Sequence, residues 1–221
     1  FGFDCTGYYP VGNYSVTEKE GHGVQSLSDA FAHSCNTTFA ALSQELGYEM
    51  LGATAEKLGF NENFMFGDMI VYNSSYPIDD LSPEDLAWSS IGQGRVLATP
   101  MHMALIASAI ANGGVMHEPH LLRRITTAQG GTRALPGSFE GVRVLEADVA
   151  ARLEKETIRV VKSGTGSRAA LGNGYVVAGK TGSAEASNDK SIHAHAWFVG
   201  YITNENAPYA ISVLVENGGS G

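Results

Sequence analysis

The spacing of apolar residues predicts helices through most of the chain before residue 175. The segment 26–29 has the form of a capping box, a hydroxyl residue followed three positions later by a carboxylate. It predicts a short helix that runs to about Ser34. Apolar residues at three- and four-residue spacing over 39–46 predict a second helix, with Gly47 as its stop. The segment 34–36 therefore falls in a tight junction between two helices.

Three further helices are predicted downstream. Ser82 followed by Pro83 marks the start of one, because proline is favoured at the first helical position. Residues 101–111 are almost wholly apolar, which is typical of a helix buried in the interior. The third helix covers 149–161. The opening segment, 1–23, shows no helical period and is rich in turn residues, so we expect an irregular surface segment there.

The last part of the chain changes to short runs of β-branched and aromatic residues. These runs cover 175–178, 196–201 and 209–215, and polar loops separate them. Three consecutive strands with short connections favour an antiparallel meander. The predicted fold class is therefore α/β of the α+β kind, with an antiparallel sheet flanked by helices.

Length and charge limit the class of protein. The 221 residues suffice for one domain with a substantial core, and 43% hydrophobic with 17% charged residues is typical of a globular fold. A formal net charge of −9 makes nucleic acid an unsuitable partner, because phosphate binding needs a basic surface. No apolar run is long enough to predict a transmembrane helix. Both ends look cut, so we expect a segment of a longer protein.

The cysteines and histidines give weak signals. Cys5 and Cys35 could form a disulfide or remain as two free, buried thiols, and their number alone does not decide between these states. His193 and His195 lie close together, but no carboxylate cluster accompanies them, so we expect a packing role. No metal site and no cofactor is predicted.

The sequence 180–183, Lys-Thr-Gly-Ser, carries chemistry at the end of the first predicted strand. An ammonium and a hydroxyl that project from an edge strand can bind a substrate carboxylate. Gly182 lets a substrate backbone approach the strand, and the N–H of Ser183 is suited to an oxyanion hole. The residues concerned are Lys180, Thr181, Gly182 and Ser183.

A nucleotide-binding loop is the rival interpretation of the same residues. The segment 174–181 fits Gly-x-x-x-x-Gly-Lys-Thr. That pattern binds phosphate only as a loop between a strand and a helix, and here its variable positions are themselves the predicted strand. The sequence context therefore disfavours nucleotide binding.

Ser34, Cys35 and Asn36 form the second candidate motif. A serine and an asparagine at a helix junction most often act as helix caps. The surroundings favour chemistry, because the stretches 28–39, 178–185 and 195–201 resemble, in the right order, the transpeptidase domains of class B penicillin-binding proteins. Shorter segments that also resemble this family extend the similarity over nearly the whole chain; they are 91–94, 99–100, 110–114 and 164–166.

The resemblance implies a function for each motif residue. Ser34 would relay a proton to the leaving amine or to the nucleophile's lysine, and Asn36 would hydrogen-bond that lysine and the substrate amide. Lys180 and Thr181 would bind the terminal carboxylate of a D-alanyl-D-alanine stem peptide or of a β-lactam. Ser183 would offer its N–H to the oxyanion. The fold of this family is a five-stranded antiparallel sheet between helical layers. The resemblance also implies that the protein acts on the extracytoplasmic face of the bacterial membrane.

The sequence departs from this family at the nucleophile. No Ser-x-x-Lys lies upstream of Ser34, and the match at 187–190 follows the Lys-Thr-Gly motif in a polar loop, so we interpret it as coincidence. We expect one partial domain over 1–221, mainly helical at 1–174 and with strands at 175–217. The nucleophile segment, two strands, a final helix and a membrane anchor would come from sequence outside this chain, and the chain alone would be inactive. A β-lactam or muropeptide sensor and a serine β-lactamase remain alternatives.

Overall fold

The computed structural model describes residues 2–63, 69–79, 81–122, 124–133, 141–187, 189 and 191–221. Within these residues it contains five α-helices and eleven strands, most of the strands short. Two of the four residues of the Ser-x-x-Lys match, Asn188 and Lys190, lie outside the described residues.

The opening segment is ordered into strands, so the expectation of an irregular surface segment is wrong. β1 (Gly2–Cys5) pairs antiparallel with β4 (Gly23–Ser26), and β2 (Tyr8–Val11) forms a hairpin with β3 (Tyr14–Thr17). Strands of four residues are too short to display a period, which explains the error. The missed signal is the two-residue turn of Gly12, at φ 54°, and Asn13.

The five helices confirm the helix predictions. They are α1 (Leu27–His33), α2 (Asn36–Lys57), α3 (Pro83–Ser90), α4 (Pro100–Ala111) and α5 (Ala147–Ser163). Ser26 and Ser82 each close a capping box, and Thr99 caps α4. Gly47 interrupts α2 with a φ of 79°, but helical structure resumes beyond it, so this glycine makes a kink where a stop was predicted.

Two minor strand pairs lie between α4 and α5. β5 (Val115–Met116) pairs with β8 (Val142–Arg143), and β6 (Ile125–Thr126) pairs with β7 (Thr132–Arg133). Along the chain they connect α4 to α5.

The last three strands form the predicted antiparallel meander. They are β9 (Val177–Ala184), β10 (His195–Ile202) and β11 (Ala210–Val215), in the order β11-β10-β9. β9 continues well past its predicted end at residue 178, so the Lys-Thr-Gly-Ser segment lies within the strand. Among the described residues β9 is an edge strand, and its outer edge has no strand partner.

The helices α4 and α5 pack on one face of this sheet. Buried residues Ala107, Ala178 and Tyr201 form a core cluster between α4, β9 and β10. Ile158 of α5 and Val199 of β10 pack against it. Residues directly opposite across the strands share a face, so Lys180, which pairs with Val199, points toward the helical side. None of the helices among the described residues combines the length and the apolar character needed to cross a membrane.

Candidate active site

Ser34 occupies the C-cap of α1 in a left-handed conformation. Its φ and ψ are 58° and 44°, and its N–H donates to the carbonyl of Phe31 at 3.2 Å. The N–H of Cys35 donates to the carbonyl of Ala30 at 2.9 Å, so α1 ends in a tight hydrogen-bonded turn. A left-handed residue other than glycine costs about 1–2 kcal/mol. This unusual backbone sets the direction in which the Ser34 hydroxyl leaves the helix.

The start of α2 is held from outside the helix. Cys35 is its N-cap but makes no side-chain capping bond. The carboxylate of Glu18, just after β3, accepts hydrogen bonds from the backbone N–H groups of Asn36 and, at 3.3 Å, of Thr37. An anion at a helix N-terminus satisfies unpaired donors and interacts favourably with the helix dipole. The opening hairpin therefore fixes the position of Asn36.

A polar network holds α1 against α5. Arg159 donates to the hydroxyl of Ser28 at 2.6 Å and forms an ion pair with Asp29. Ser28 also donates to the carboxylate of Glu156. The hydrogen bonds of Asp29 with Ser26, followed by that with Arg159, lower the pKa of Asp29 to about 2. The carboxylate thus stays charged at neutral pH and keeps both of its functions, the cap and the ion pair.

Lys180 of β9 reaches the end of α1. Its Nζ donates to the Ser34 hydroxyl at 2.8 Å and to the Thr181 carbonyl at 3.0 Å. The same Nζ lies 6.0 Å from the centroid of the Phe31 ring, at the limit of a cation–π contact. Burial lowers the pKa of Lys180 from 10.5 to about 8. The ammonium is therefore charged at neutral pH yet able to give up its proton readily.

Thr165 is a site residue to which the sequence alone gave no function. Its Oγ1 lies 2.8 Å from Oγ1 of Thr181, so the two hydroxyls share a hydrogen bond. Thr165 follows Gly164, at the C-cap of α5. A Cβ on Gly164 would overlap the carbonyl oxygen of Ala32, so only glycine permits this close contact between the ends of α1 and α5. The sequence 164–166 belongs to the family resemblance, but nothing in it indicates a contact with Thr181.

Gln93 is a second residue whose function the sequence did not reveal. Its side-chain N–H donates to the Ser183 carbonyl at 2.8 Å, and its side-chain oxygen accepts from the Glu185 N–H at 3.2 Å. The amide thus pairs with the outer edge of β9 as a short strand would. In an antiparallel ladder the N–H and C=O of one residue point the same way. The N–H of Ser183 therefore faces the same outer edge.

The structure brings the two predicted motifs together through Ser34 and Lys180. Ser34 and Lys180 are in direct contact, and Thr181, Gly182 and Ser183 follow along β9. Asn36 is half-buried at the start of α2, two residues from Ser34. The Ser187 end of the Ser-x-x-Lys match lies past the end of β9, outside a helix. The rival phosphate loop at 174–181 has no helix directly after it, because β9 covers Val177–Ala184.

A half-buried ammonium, two paired hydroxyls and an open strand edge can together bind a carboxylate-bearing ligand and move a proton through Ser34. Helices on an antiparallel sheet with this site at its edge define the class of serine acyl-transfer proteins that recognise β-lactams. The chain belongs to the penicillin-binding protein transpeptidase domain family, whose model matches residues 3–221.

Individual proteins support the same assignment. The chain is 33% identical over 196 residues to the peptidoglycan D,D-transpeptidase PbpA of Mycolicibacterium smegmatis, covering 88% of this chain and 39% of that protein. The D,D-transpeptidase domain of a peptidoglycan glycosyltransferase from Eggerthella lenta superposes with a TM-score of 0.88 at 33% identity, over 98% of this chain and 55% of that one.

A penicillin G acyl-enzyme complex of penicillin-binding protein A from Mycobacterium tuberculosis also has a TM-score of 0.88, at 28% identity, over 100% of this chain and 51% of that one. The chain thus spans about two fifths of the length of the curated PbpA relatives.

Proposed function

We propose that this chain is part of a peptidoglycan D,D-transpeptidase that binds D-alanyl-D-alanine stem peptides and β-lactams through a serine acyl-enzyme. The observation that carries the proposal is the 2.8 Å hydrogen bond between Lys180 and Ser34 at the open edge of β9. It joins the two motifs, which are 146 residues apart in the sequence. The named D,D-transpeptidase relatives and the penicillin acyl-enzyme neighbour favour the same chemistry.

Ser34 acts in proton transfer in this proposal. Its hydroxyl accepts from Lys180 and is free to pass its own proton to the leaving amine, or to the lysine of the nucleophile. Asn36, held by Glu18, hydrogen-bonds that lysine and the substrate amide. The low pKa of Lys180 suits this relay, because proton transfer is efficient when the groups involved have a pKa near the working pH.

The edge of β9 binds the substrate. Lys180 and the hydroxyl of Thr181, oriented by Thr165, hold the terminal carboxylate. Gly182 leaves room for the substrate backbone, and the N–H of Ser183 stabilises the developing oxyanion. An extended peptide can add to such an edge as a further strand.

The remaining parts of the protein belong to the same proposal. Residues 1–221 form one partial domain, with the helical region at 1–174 and the strands at 175–217. The nucleophile, the rest of the sheet, a final helix and a membrane anchor lie in other segments. The active domain works on the extracytoplasmic face of the bacterial membrane, where its substrate is.

Acylation of the full-length protein by a fluorescent penicillin tests the proposal. Lys180→Ala and Asn36→Ala should each slow labelling by about 10² or more, because removing one preorganised electrostatic group typically costs that much. Lys162→Ala, which changes an exposed lysine of α5, is the matched control and should label at the wild-type rate.

Equal labelling rates in all four proteins would remove these residues from the site. A transpeptidase must also release D-alanine from a stem peptide, whereas a sensor would be acylated without that turnover. Covalent labelling at Ser187 would overturn the assignment of the nucleophile.

A further inference from the structure

A second cluster of reactive groups lies beneath the Ser34–Asn36 junction. Cys5 ends β1, His22 precedes β4, and Cys35 stands between α1 and α2. The ligand atoms of the three side chains all lie within 4.8 Å of one another. Cys5 and Cys35 are 1% and 0% exposed, whereas His22 is exposed and gives access from solvent. The active-site chemistry proposed above uses none of the three side chains.

We propose that Cys5, His22 and Cys35 bind a zinc ion. In a tetrahedral site with Zn–S near 2.3 Å and Zn–N near 2.05 Å, sulfur and nitrogen stand about 3.6 Å apart. The observed distance between Cys5 Sγ and His22 Nδ1 is 3.5 Å. These two ligand atoms already have the separation that a shared zinc ion requires. The fourth tetrahedral position is left for a water molecule.

The surroundings of the sulfur atoms favour thiolates. The Thr37 hydroxyl donates to Cys5 Sγ at 3.1 Å, and the Thr38 hydroxyl donates to Cys35 Sγ at 3.1 Å. The side-chain amide of Gln25, also buried, donates to the Thr38 hydroxyl at 2.9 Å, which leaves that hydroxyl's proton for the sulfur. Donors of this kind orient metal ligands from the second coordination layer.

Proton balance is consistent with this arrangement. Zinc binding displaces the two thiol protons to solvent and leaves neutral His22 to donate its Nδ1 lone pair. No oxidant is needed.

A Cys5–Cys35 disulfide is the competing state. It would form with loss of two protons and two electrons to an external oxidant. It would not require an imidazole nitrogen directed at Cys5, nor hydroxyl donors on both sulfurs. The zinc site accounts for all of these contacts, which is why we favour it.

Zinc would join three separate parts of the chain. The first strand and the segment that enters β4 would be fastened to the residue at the centre of Ser34-Cys35-Asn36. The inference does not depend on the proposed function, and metal content and thermal stability can be measured without any assay of acyl transfer.

The test uses full-length protein purified under reducing conditions without chelator. Elemental analysis by mass spectrometry should find about one zinc per chain, as for other structural sites. Dialysis against a strong chelator should remove the zinc and lower the melting temperature, and added zinc chloride should restore both. A protein without zinc, whose melting temperature zinc chloride does not change, would overturn the proposal.

Variants locate the site. His22→Gln and Cys5→Ser should reduce zinc content by at least about tenfold, whereas His193→Gln, at an exposed histidine outside the cluster, should retain it. If Cys5→Ser does not fold, cobalt(II) loaded into wild-type protein provides the readout, and a sulfur-to-cobalt charge-transfer band is expected. Absence of that band would refute zinc binding. An intact mass two hydrogens lower, with neither thiol reactive, would show a Cys5–Cys35 disulfide and would also refute it.

Discussion

At the scale of single residues, the protonation of Lys180 links structure to pH. Its pKa of about 8 in the folded chain lies below the ordinary 10.5, because burial disfavours the charged form. Between these values the unfolded chain holds a proton that the folded chain has released. This group therefore adds stability as pH rises from about 8 toward 10.5. The ability of Lys180 to bind a carboxylate falls over the same pH range, because its side chain loses its positive charge.

We expect acylation of the full-length protein to decline above about pH 8, as Lys180 loses its charge. Lys180→Arg keeps a cation at all accessible pH, so whatever its absolute rate, its alkaline decline should move to higher pH. The measurement is the second-order rate of β-lactam acylation from pH 6 to pH 10. An unchanged alkaline limb in Lys180→Arg would show that another group controls it.

Thr165 gives a second prediction at this scale. Thr165→Val removes the hydroxyl that contacts Thr181 at 2.8 Å but keeps the shape of the side chain. We expect β-lactam and stem-peptide affinity to fall by about 3–10-fold, the effect of one hydrogen bond of roughly 1 kcal/mol. Thr54→Val, at an exposed threonine of α2, is the control. Equal affinities in both variants would contradict a function for Thr165 in the site.

At the scale of elements, the opening hairpin supports the catalytic junction. Glu18→Ala removes the carboxylate that caps α2, so we expect the free energy of unfolding to fall by about 1 kcal/mol and acylation to slow. Glu20→Ala, at an exposed neighbour, is the matched control. Chemical denaturation and penicillin labelling of the two variants provide the comparison. A Glu18→Ala protein as stable as the Glu20→Ala protein would rule out the cap.

The elements that the sequence predicts are those with local signals. Ser26, Ser82 and Thr99 mark their helices by chemistry that operates within four residues, so the helix starts could be found without a structure. β1 to β4 have no such signal apart from one turn, because their pairing depends on contacts with α1 and α2. The minor strands β5 to β8 are too short to carry a pattern at all.

The site residues also fall into those that a local sequence signal reveals and those that only the folded structure reveals. Ser34, Asn36 and Lys180 could be identified because they belong to short motifs. Gln93 and Glu18 could not, because Gln93 acts on residues 90 and 92 positions away and Glu18 on backbone N–H groups 18 and 19 positions away. Neither contact leaves a trace in residue spacing. The two cysteines could be considered as a pair from their number, but the sequence does not indicate that His22 joins them, because the pairing of β1 with β4 is what brings His22 next to Cys5.

At the scale of the whole molecule, one face of the sheet carries a row of exposed apolar side chains on β11. Ile211, Val213 and Val215 alternate along β11 and are 47%, 46% and 53% exposed. The ring of Phe198 lies on the same face, over Gly179 and Gly200. Exposed apolar patches of this kind mark contact surfaces.

We expect the 221-residue chain, produced by itself, to self-associate or aggregate. Size-exclusion chromatography with light scattering would measure this, and replacing Ile211, Val213 and Val215 together by serine should shift the chain toward monomer. The same three substitutions by threonine, which is smaller than isoleucine but still β-branched, control for strand propensity. A wild-type chain that is monomeric and well folded at high concentration would contradict the expectation.

The Gln93 amide has a consequence for the length of the peptide that β9 can accept. It already occupies the Ser183 carbonyl and the Glu185 N–H, so an added strand finds free pairing groups only on the Lys180 side of that point. A chain that ran on past Ser183 would have to displace the amide. Under the proposed function, the amide therefore limits how far a bound peptide can pair along β9 in the direction of Glu185.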